Sequence, residues 1–354
     1  MKTLAFAFLL TISVNSQTIA AKENLRSIQL APSTMITSVA LGSCYAPQRG
    51  DAIWQAIINE APQLFLMLGD NVYASKEEAD SNLPFLKSAY QLLLGSRLFA
   101  QLRDKTEVLA TWDDHDYGMN DAGASWIAKN DSEALFESIW GLAPDDPRRQ
   151  REGIYFSRTF GNEGNRLQII LLDTRFFRSD LVKFDNADKS YQADPSTEKT
   201  LLGETQWRWL EKTLAQPADL RLLVSSVQVL SGNGESEGWY LFPAERQKLF
   251  ALLKAYSENN IFLLSGDRHF SAIYQAQGIL VDPLYELTAS SMNQAVSGTK
   301  KHQLANTKEP FELSRKVLES NFMTLDIDWH TRSLDVQVIG LSGEKYLQKI
   351  IRFQ

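Results

Sequence analysis

Short apolar runs alternate with amphipathic stretches along most of this 354-residue chain. Residues 35–41 form an apolar, β-branched run that predicts a strand, and residues 64–68, 108–112, 222–230 and 261–264 read the same way. Between them lie helical patterns. Residues 51–59 place Ile53, Trp54, Ile57 and Ile58 on one face, with Asp51 as N-cap. Residues 83–102 carry Leu, Phe and Tyr at helical spacing, and residues 132–140 also read as helix. Residues 204–214 set Trp207, Leu210 and Leu214 on one stripe. Pro243 opens a further helix to about residue 257, because its fixed φ suits a first turn.

Residues 154–160 and 167–172 predict adjacent strands joined by the hairpin connection Gly161-Asn162-Glu163-Gly164-Asn165. Residues 279–287 hold one or two more strands. Residues 322–328, 334–339 and 346–353 alternate well and predict antiparallel closing strands. The polar stretch 176–203 reads as a surface excursion rimming a site, and the polar stretch 297–310 as a loop. No repeat or Pro/Gly-rich linker interrupts the pattern, so residues 21–354 are expected to form a single domain of the α/β class.

Composition narrows the function. A net charge of −7 argues against a nucleic-acid binder, which would show a basic stripe. It leaves small phosphorylated substrates open, since bound metal ions invert the local field. Residues 1–20 look like a secretory signal: Lys2, an apolar core over 4–14, then small residues with cleavage after Ala20. The alternative is a buried N-terminal helix. The signal reading places the protein in the periplasm or outside the cell. No later run is long enough to cross a membrane. Cys44 is the only cysteine, so no internal disulfide forms. A lone thiol in an oxidising compartment is a liability unless buried or bound to something.

The predicted strands end in polar clusters. These are Gly42-Ser43-Cys44, Gly69-Asp70-Asn71-Val72-Tyr73, the acidic stretch Thr111-Trp112-Asp113-Asp114-His115-Asp116, and Ser265-Gly266-Asp267-Arg268-His269. Crowded acids repel one another and lose hydration unless cations sit among them. Each cluster has a plain alternative: an inert buried thiol, a packed Tyr73, or Asp114 or Asp116 capping a helix. Their shared context weighs against these, because sites in open α/β sheets collect beyond the carboxyl ends of strands. Thiolate, phenolate, carboxylate and imidazole all suit metals. Two of the four histidines, His115 and His269, fall inside the clusters; His302 and His330 have no assigned role.

Gly69-Asp70, Asp114-His115-Asp116 and Gly266-Asp267-Arg268-His269 resemble the signature of the calcineurin-like metallophosphoesterases. The usual opening DxH is replaced by Gly42-Ser43-Cys44, which is similar to the alkaline phosphatase D branch. Leu172-Asp173-Thr174-Arg175, Gly203-Glu204-Thr205-Gln206-Trp207 and Asn321-Phe322 match that branch as well. The resemblance implies a four-layer αββα sandwich of two mixed sheets and a secreted phosphate-ester hydrolase using Fe³⁺ and Ca²⁺. It implies Cys44 and Tyr73 as iron ligands, Asp70 as the bridging carboxylate, and Asp267 and His269 as the closing metal-binding segment. Asp114 stands where the signature has a ligand asparagine, and His115 where it has its active-site histidine. Two features depart from the branch. The extra N-terminal β-domain of many members has no room here, and Trp239-Tyr240-Leu241 lacks an expected acid, for which Glu235 or Glu237 would substitute.

The expected mechanism is attack of metal-activated hydroxide on phosphorus, with His115 protonating the leaving alkoxide or stabilising a phosphoryl oxygen. Arg175 either holds phosphate or forms a structural ion pair with Asp173 or a neighbour. Rival readings are a phosphodiesterase or phospholipase on the same scaffold, and a non-catalytic secreted module using calcium to order loops. Oligomeric state is left open.

Overall fold

The computed structural model describes residues 24–79, 81–184, 191–232, 236–256 and 260–354. The expected signal over residues 1–20 lies outside the described residues, as does Glu235.

Two six-stranded sheets form the centre. The first runs in the order β14 (Lys345–Arg352), β13 (Ser333–Gly340), β12 (Asn321–Asp328), β1 (Ser38–Gly42), β2 (Leu64–Leu68) and β3 (Glu107–Thr111). Within it β1, β2 and β3 are parallel and the remaining pairs antiparallel. The second runs β10 (Ser271–Ala276), β11 (Leu284–Ala289), β9 (Ile261–Ser265), β8 (Leu220–Ser225), β5 (Leu167–Leu171) and β4 (Phe156–Phe160). Its inner pairs are parallel and its two edge pairs antiparallel.

Strand β2 shows why the layers form. Its LFLML is buried at every position. Alternate side chains point to opposite faces. Leu64, Leu66 and Leu68 pack between the sheets against residues such as Ile169, Leu222 and Leu264. Phe65 and Met67 point the other way. There they meet α1 (Ala52–Glu60), α2 (Pro84–Gly95), α3 (Arg97–Arg103), α4 (Asp114–Tyr117) and α5 (Lys129–Ile139). Ile170, Leu223 and Leu263 of the second sheet are likewise covered by α6 (Gly203–Leu214), α7 (Pro243–Ala255) and α8 (Gly298–Asn306). The result is the expected helix–sheet–sheet–helix sandwich. Trp54 of α1 sits fully buried among Tyr45, Phe65 and Phe99, with the Tyr45 ring at 4.7 Å. Deleting such a ring costs about 3–5 kcal/mol, and this one also braces the turn after Cys44.

Several elements differ from the sequence pattern. The helix expected over 83–102 breaks at Ser96, whose hydroxyl accepts from Phe99 N at 3.2 Å and so starts α3. Asp51 occupies the N-cap position of α1, but its carboxylate accepts from Ser96 Oγ instead of the helix. Strand β8 stops at Ser225 although apolar residues continue to Leu230. The amides of Val229 and Leu230 turn to the buried Glu286 carboxylate at 2.8 and 2.6 Å. The expected 297–310 loop contains α8, and strand β10 was not anticipated. The 176–203 excursion carries a small ribbon, β6 (Val182–Lys183) with β7 (Tyr191–Gln192). No helix among the described residues is long and apolar enough to cross a membrane.

Candidate metal centre

Strands β1, β2, β3 and β9 deliver their following turns to one edge of the sandwich. Two glycines let those turns close on each other. A Cβ at Gly69 (φ 104°) would stand 2.7 Å from Asp113 Cβ, and one at Gly266 would stand 2.6 Å from Ser43 Oγ. Cys44 (φ 59°), Asp70 (φ 51°), Asp267 (φ 69°) and His269 (φ 58°) all occupy left-handed backbone. That conformation costs a non-glycine residue about 1–2 kcal/mol. It is held by specific bonds: Tyr45 N donates to Asp70 O at 2.9 Å, His269 N to Ser290 Oγ at 2.9 Å, and Val296 N to His269 O at 3.0 Å.

The side chains converge. Tyr73 OH donates to Asp70 Oδ2 at 2.6 Å and stands 3.0 Å from His269 Nε2. Cys44 Sγ lies 3.5 Å from the same Asp70 oxygen and 3.2 Å from Ser290 Oγ. Ligand atoms of Cys44, Asp70 and His269 lie within 4.8 Å of one another, and so do those of Asp70, Asp114 and His115. Asp70 belongs to both groups. Asp267 lines the same cleft, of about 160 Å³, but belongs to neither group. Asp114 is oriented by His115 N at 2.9 Å and Asp121 N at 2.8 Å, and the His115 ring lies 4.2 Å from that of Tyr73.

Burial pushes the Cys44 thiol up to about 11, and the nearby Asp267 adds to the shift. Burial, then the neighbouring Cys44 and Asp114 charges, hold the Asp70 carboxyl well above the usual carboxylate range. Asp267 is raised well above that range by burial and by Asp113 and Asp114, and Tyr73 is raised by burial and by Asp70. Burial also raises Asp114, but His115, Arg175 and the Asp121 amide outweigh it and bring the group down to about 2. Burial lowers His269, favouring the neutral imidazole that a metal requires. Among the described residues, none of Asp70, Asp114 and Asp267 has an ion pair with Lys or Arg within 4 Å. Crowded carboxyl groups, two of them held protonated by burial and by their neighbours, with no Lys or Arg in direct contact, fit a metal. Thiol, phenol and imidazole around Asp70 suit a transition-metal ion, and the oxygens toward Asp114 suit a harder one.

Arg175 is placed differently from the phosphate-holding role the sequence allowed. Its side chain is fully enclosed behind the cleft. Nε donates to Asp113 Oδ1 and one terminal nitrogen to Glu237 Oε2, both at 2.6 Å. Arg178 Nε meets the other Glu237 oxygen at 3.0 Å. Arg175 is thus the structural ion pair, made with Asp113 and Glu237, while the Asp173 carboxylate accepts from the Arg175 and Phe176 amides and from Trp112 Nε1. Glu237 is committed to the two arginines and does not stand in for a metal-binding acid. Asp116 is structural too, accepting from the Asp113 amide at 2.6 Å and from the Asp70 and Asn71 amides. Of the acidic stretch from Thr111 to Asp121, Asp114, His115, Asn120 and Asp121 line the cleft.

Sequence reasoning also missed Lys300 and Leu304 of α8, which line the cleft. Their i, i+4 spacing was the available signal. The excursion does rim the site, because Tyr191 OH bonds the Asp121 carboxylate.

With this geometry in view, comparison with known proteins is direct. The alkaline phosphatase D of Bacillus subtilis (strain 168) is 26% identical over 207 residues, 52% of this chain and 34% of that protein. The chain thus matches about a third of that relative's length. The solved structure described as "Structure of PhoD" superposes with a TM-score of 0.67 at 18% identity, over 91% of this chain and 70% of that one, and shows the shared fold. The PhoD-like phosphatase family profile matches residues 38–326, from the first residue of β1 to near the end of β12. That match takes in every strand-end turn of the cleft, and the chain belongs to the PhoD-like phosphatase family.

Proposed function

We propose that the protein hydrolyses phosphate esters in this cleft. Cys44, Tyr73, Asp70 and His269 would hold Fe³⁺, and Asp70, Asp114 and Asp267 would hold Ca²⁺. The observation that carries the reading is Asp70, the one carboxylate common to both groups of converging donors. When bound, two such cations neutralise phosphoryl oxygens and make water nucleophilic near neutral pH. The chain's own residues then orient and protonate. His115 packs on Tyr73 beside Asp114, in the wall of the cleft, and delivers a proton to the leaving oxygen or bonds a phosphoryl oxygen. Asp113, Arg175 and Glu237 fix the turn from behind and touch no substrate. Residues 1–20 would direct export, and residues 21–354 would act as one catalytic domain.

The test is metal analysis of purified protein alongside turnover of p-nitrophenyl phosphate and bis-p-nitrophenyl phosphate. Iron and calcium should co-purify, chelation should lower turnover, and the ratio of the two rates distinguishes monoesterase from diesterase. Tyr73→Phe should change or bleach the visible band of iron-loaded protein. A colourless active protein holding only calcium or zinc would remove the iron assignment. Metal-dependent stability without turnover of either ester would favour the non-catalytic alternative.

A further inference from the structure

The positive side chains around the cleft are unequal. Arg175 and Arg178 are tied behind it by Asp113 and Glu237. Arg268 lines it, but its guanidinium is bonded to Gln228 and, at 2.8 Å, to Glu309. Lys300 lines it as well, and among the described residues it makes no hydrogen bond or ion pair. Its helix is firmly seated. Leu304 is 5% exposed and packs into the core of the second sheet. Lys301 pairs with Glu319 at 3.2 Å. Just before the helix, Val296 N bonds the carbonyl of His269. Residues four apart share a helix face, and Lys300 and Leu304 both line the cleft, Lys300 as an exposed cation and Leu304 as the buried anchor of its helix. At about 160 Å³ the cleft is smaller than the roughly 300 Å³ of pockets that enclose whole organic ligands. A phosphoryl group fits inside, the bulk of the alcohol lies outside, and Lys300 is an exposed lining residue within reach of it.

Building on the phosphatase reading, we propose that Lys300 selects phosphate esters whose leaving alcohol carries a second negative charge. An acidic cleft otherwise repels a doubly anionic substrate, and a compact, uncommitted ammonium on its outer wall reverses that locally.

A matched pair tests this: 4-carboxyphenyl phosphate against its neutral isostere 4-carbamoylphenyl phosphate. The wild-type protein should favour the carboxylate by about ten-fold in kcat/KM, the scale of one partly exposed charged contact, mostly through KM. K300A should bring the ratio to one or below, K300E should lower it further, and K300R should keep most of the wild-type preference. Raising salt should shrink the wild-type preference, since the contact is partly exposed. Circular dichroism confirms that each variant is folded. A wild-type ratio near one, or a preference that K300A retains, overturns the proposal. If no variant turns over either ester, calorimetry with the two corresponding aryl phosphonates reads the same ratio. A carboxylate preference lost in K300A then supports the role of Lys300 while the hydrolytic reading fails; no preference in binding overturns the role of Lys300 too.

Discussion

Two sets of poorly exposed acids meet at the cleft and differ in what neutralises them. Asp70, Asp114 and Asp267 face the cleft without a described Lys or Arg partner, whereas Asp113 and Glu237 sit behind it, clamped by Arg175 and Arg178. Burial does not separate the sets: Asp70 and Asp113 are each 1% exposed. What separates them is the source of compensating charge. The rear set has arginines in direct contact; the front set has none within ion-pair distance, although His115 and the more distant Arg175 still lower Asp114. A buried carboxylate is therefore a candidate ligand only after the arginines around it have been accounted for.

The sharpest way to break the contrast is to neutralise one acid from each set. Asp70→Asn should lose bound metal and on the order of 10⁴-fold or more in turnover, because both donor groups lose their common oxygen. Asp113→Asn should keep its metal; equal metal loss from both would erase the distinction. His115→Ala should keep its metal and lose roughly 10²- to 10⁴-fold in kcat, the contribution of a general acid. That loss should be greater for alkyl esters than for p-nitrophenyl esters, and equal losses would point to phosphoryl positioning. Arg175→Met should act on stability, costing about 3–5 kcal/mol in urea unfolding because Asp113 loses its arginine while Glu237 keeps only Arg178. A variant that unfolds normally but fails to turn over would move Arg175 into the front set.

The smallest effect is a pH slope in metal-free protein. Asp70 and Asp267 titrate well above their ordinary 3.8 when folded. Above about pH 4 the folded chain therefore holds protons that the unfolded chain has released, and stability falls as pH rises through neutrality. Thermal melts between pH 5 and 8 (about that range) should show Tm declining in chelator, and saturating metal should flatten the slope by holding the carboxylates ionised. A flat profile in chelator would mean that the front acids are already compensated.

The layers and the turns that meet at the cleft were legible because they follow from local pattern. Runs such as Leu64-Phe65-Leu66-Met67-Leu68 have apolar side chains for both faces, and Gly69-Asp70 ends the run where the sheet ends. What escaped depended on distant partners. Arg175 and Glu237 are 62 residues apart, and nothing near either one announces the pair. The end of β8 is set by Glu286, 57 residues beyond Val229. Helix α8 buries only Leu304, so its sequence reads as a polar loop until the second sheet is there to receive that side chain. Strand β10, with Ser271 and Gln275 among its residues, lacks a clean apolar run, and its identity comes from pairing with β11.

The left-handed backbone at Cys44, Asp70, Asp267 and His269 has an evolutionary consequence. At each position glycine would adopt the same conformation without the Cβ clash, and it would also remove a thiol, a carboxylate or an imidazole from a crowded interior. On the proposed reading, random drift toward glycine at these positions would thus relieve the backbone while removing the donors that a metal would need. Selection for durability and selection for turnover pull in opposite directions at these four positions. A library screened only for heat resistance should accumulate inert descendants there first.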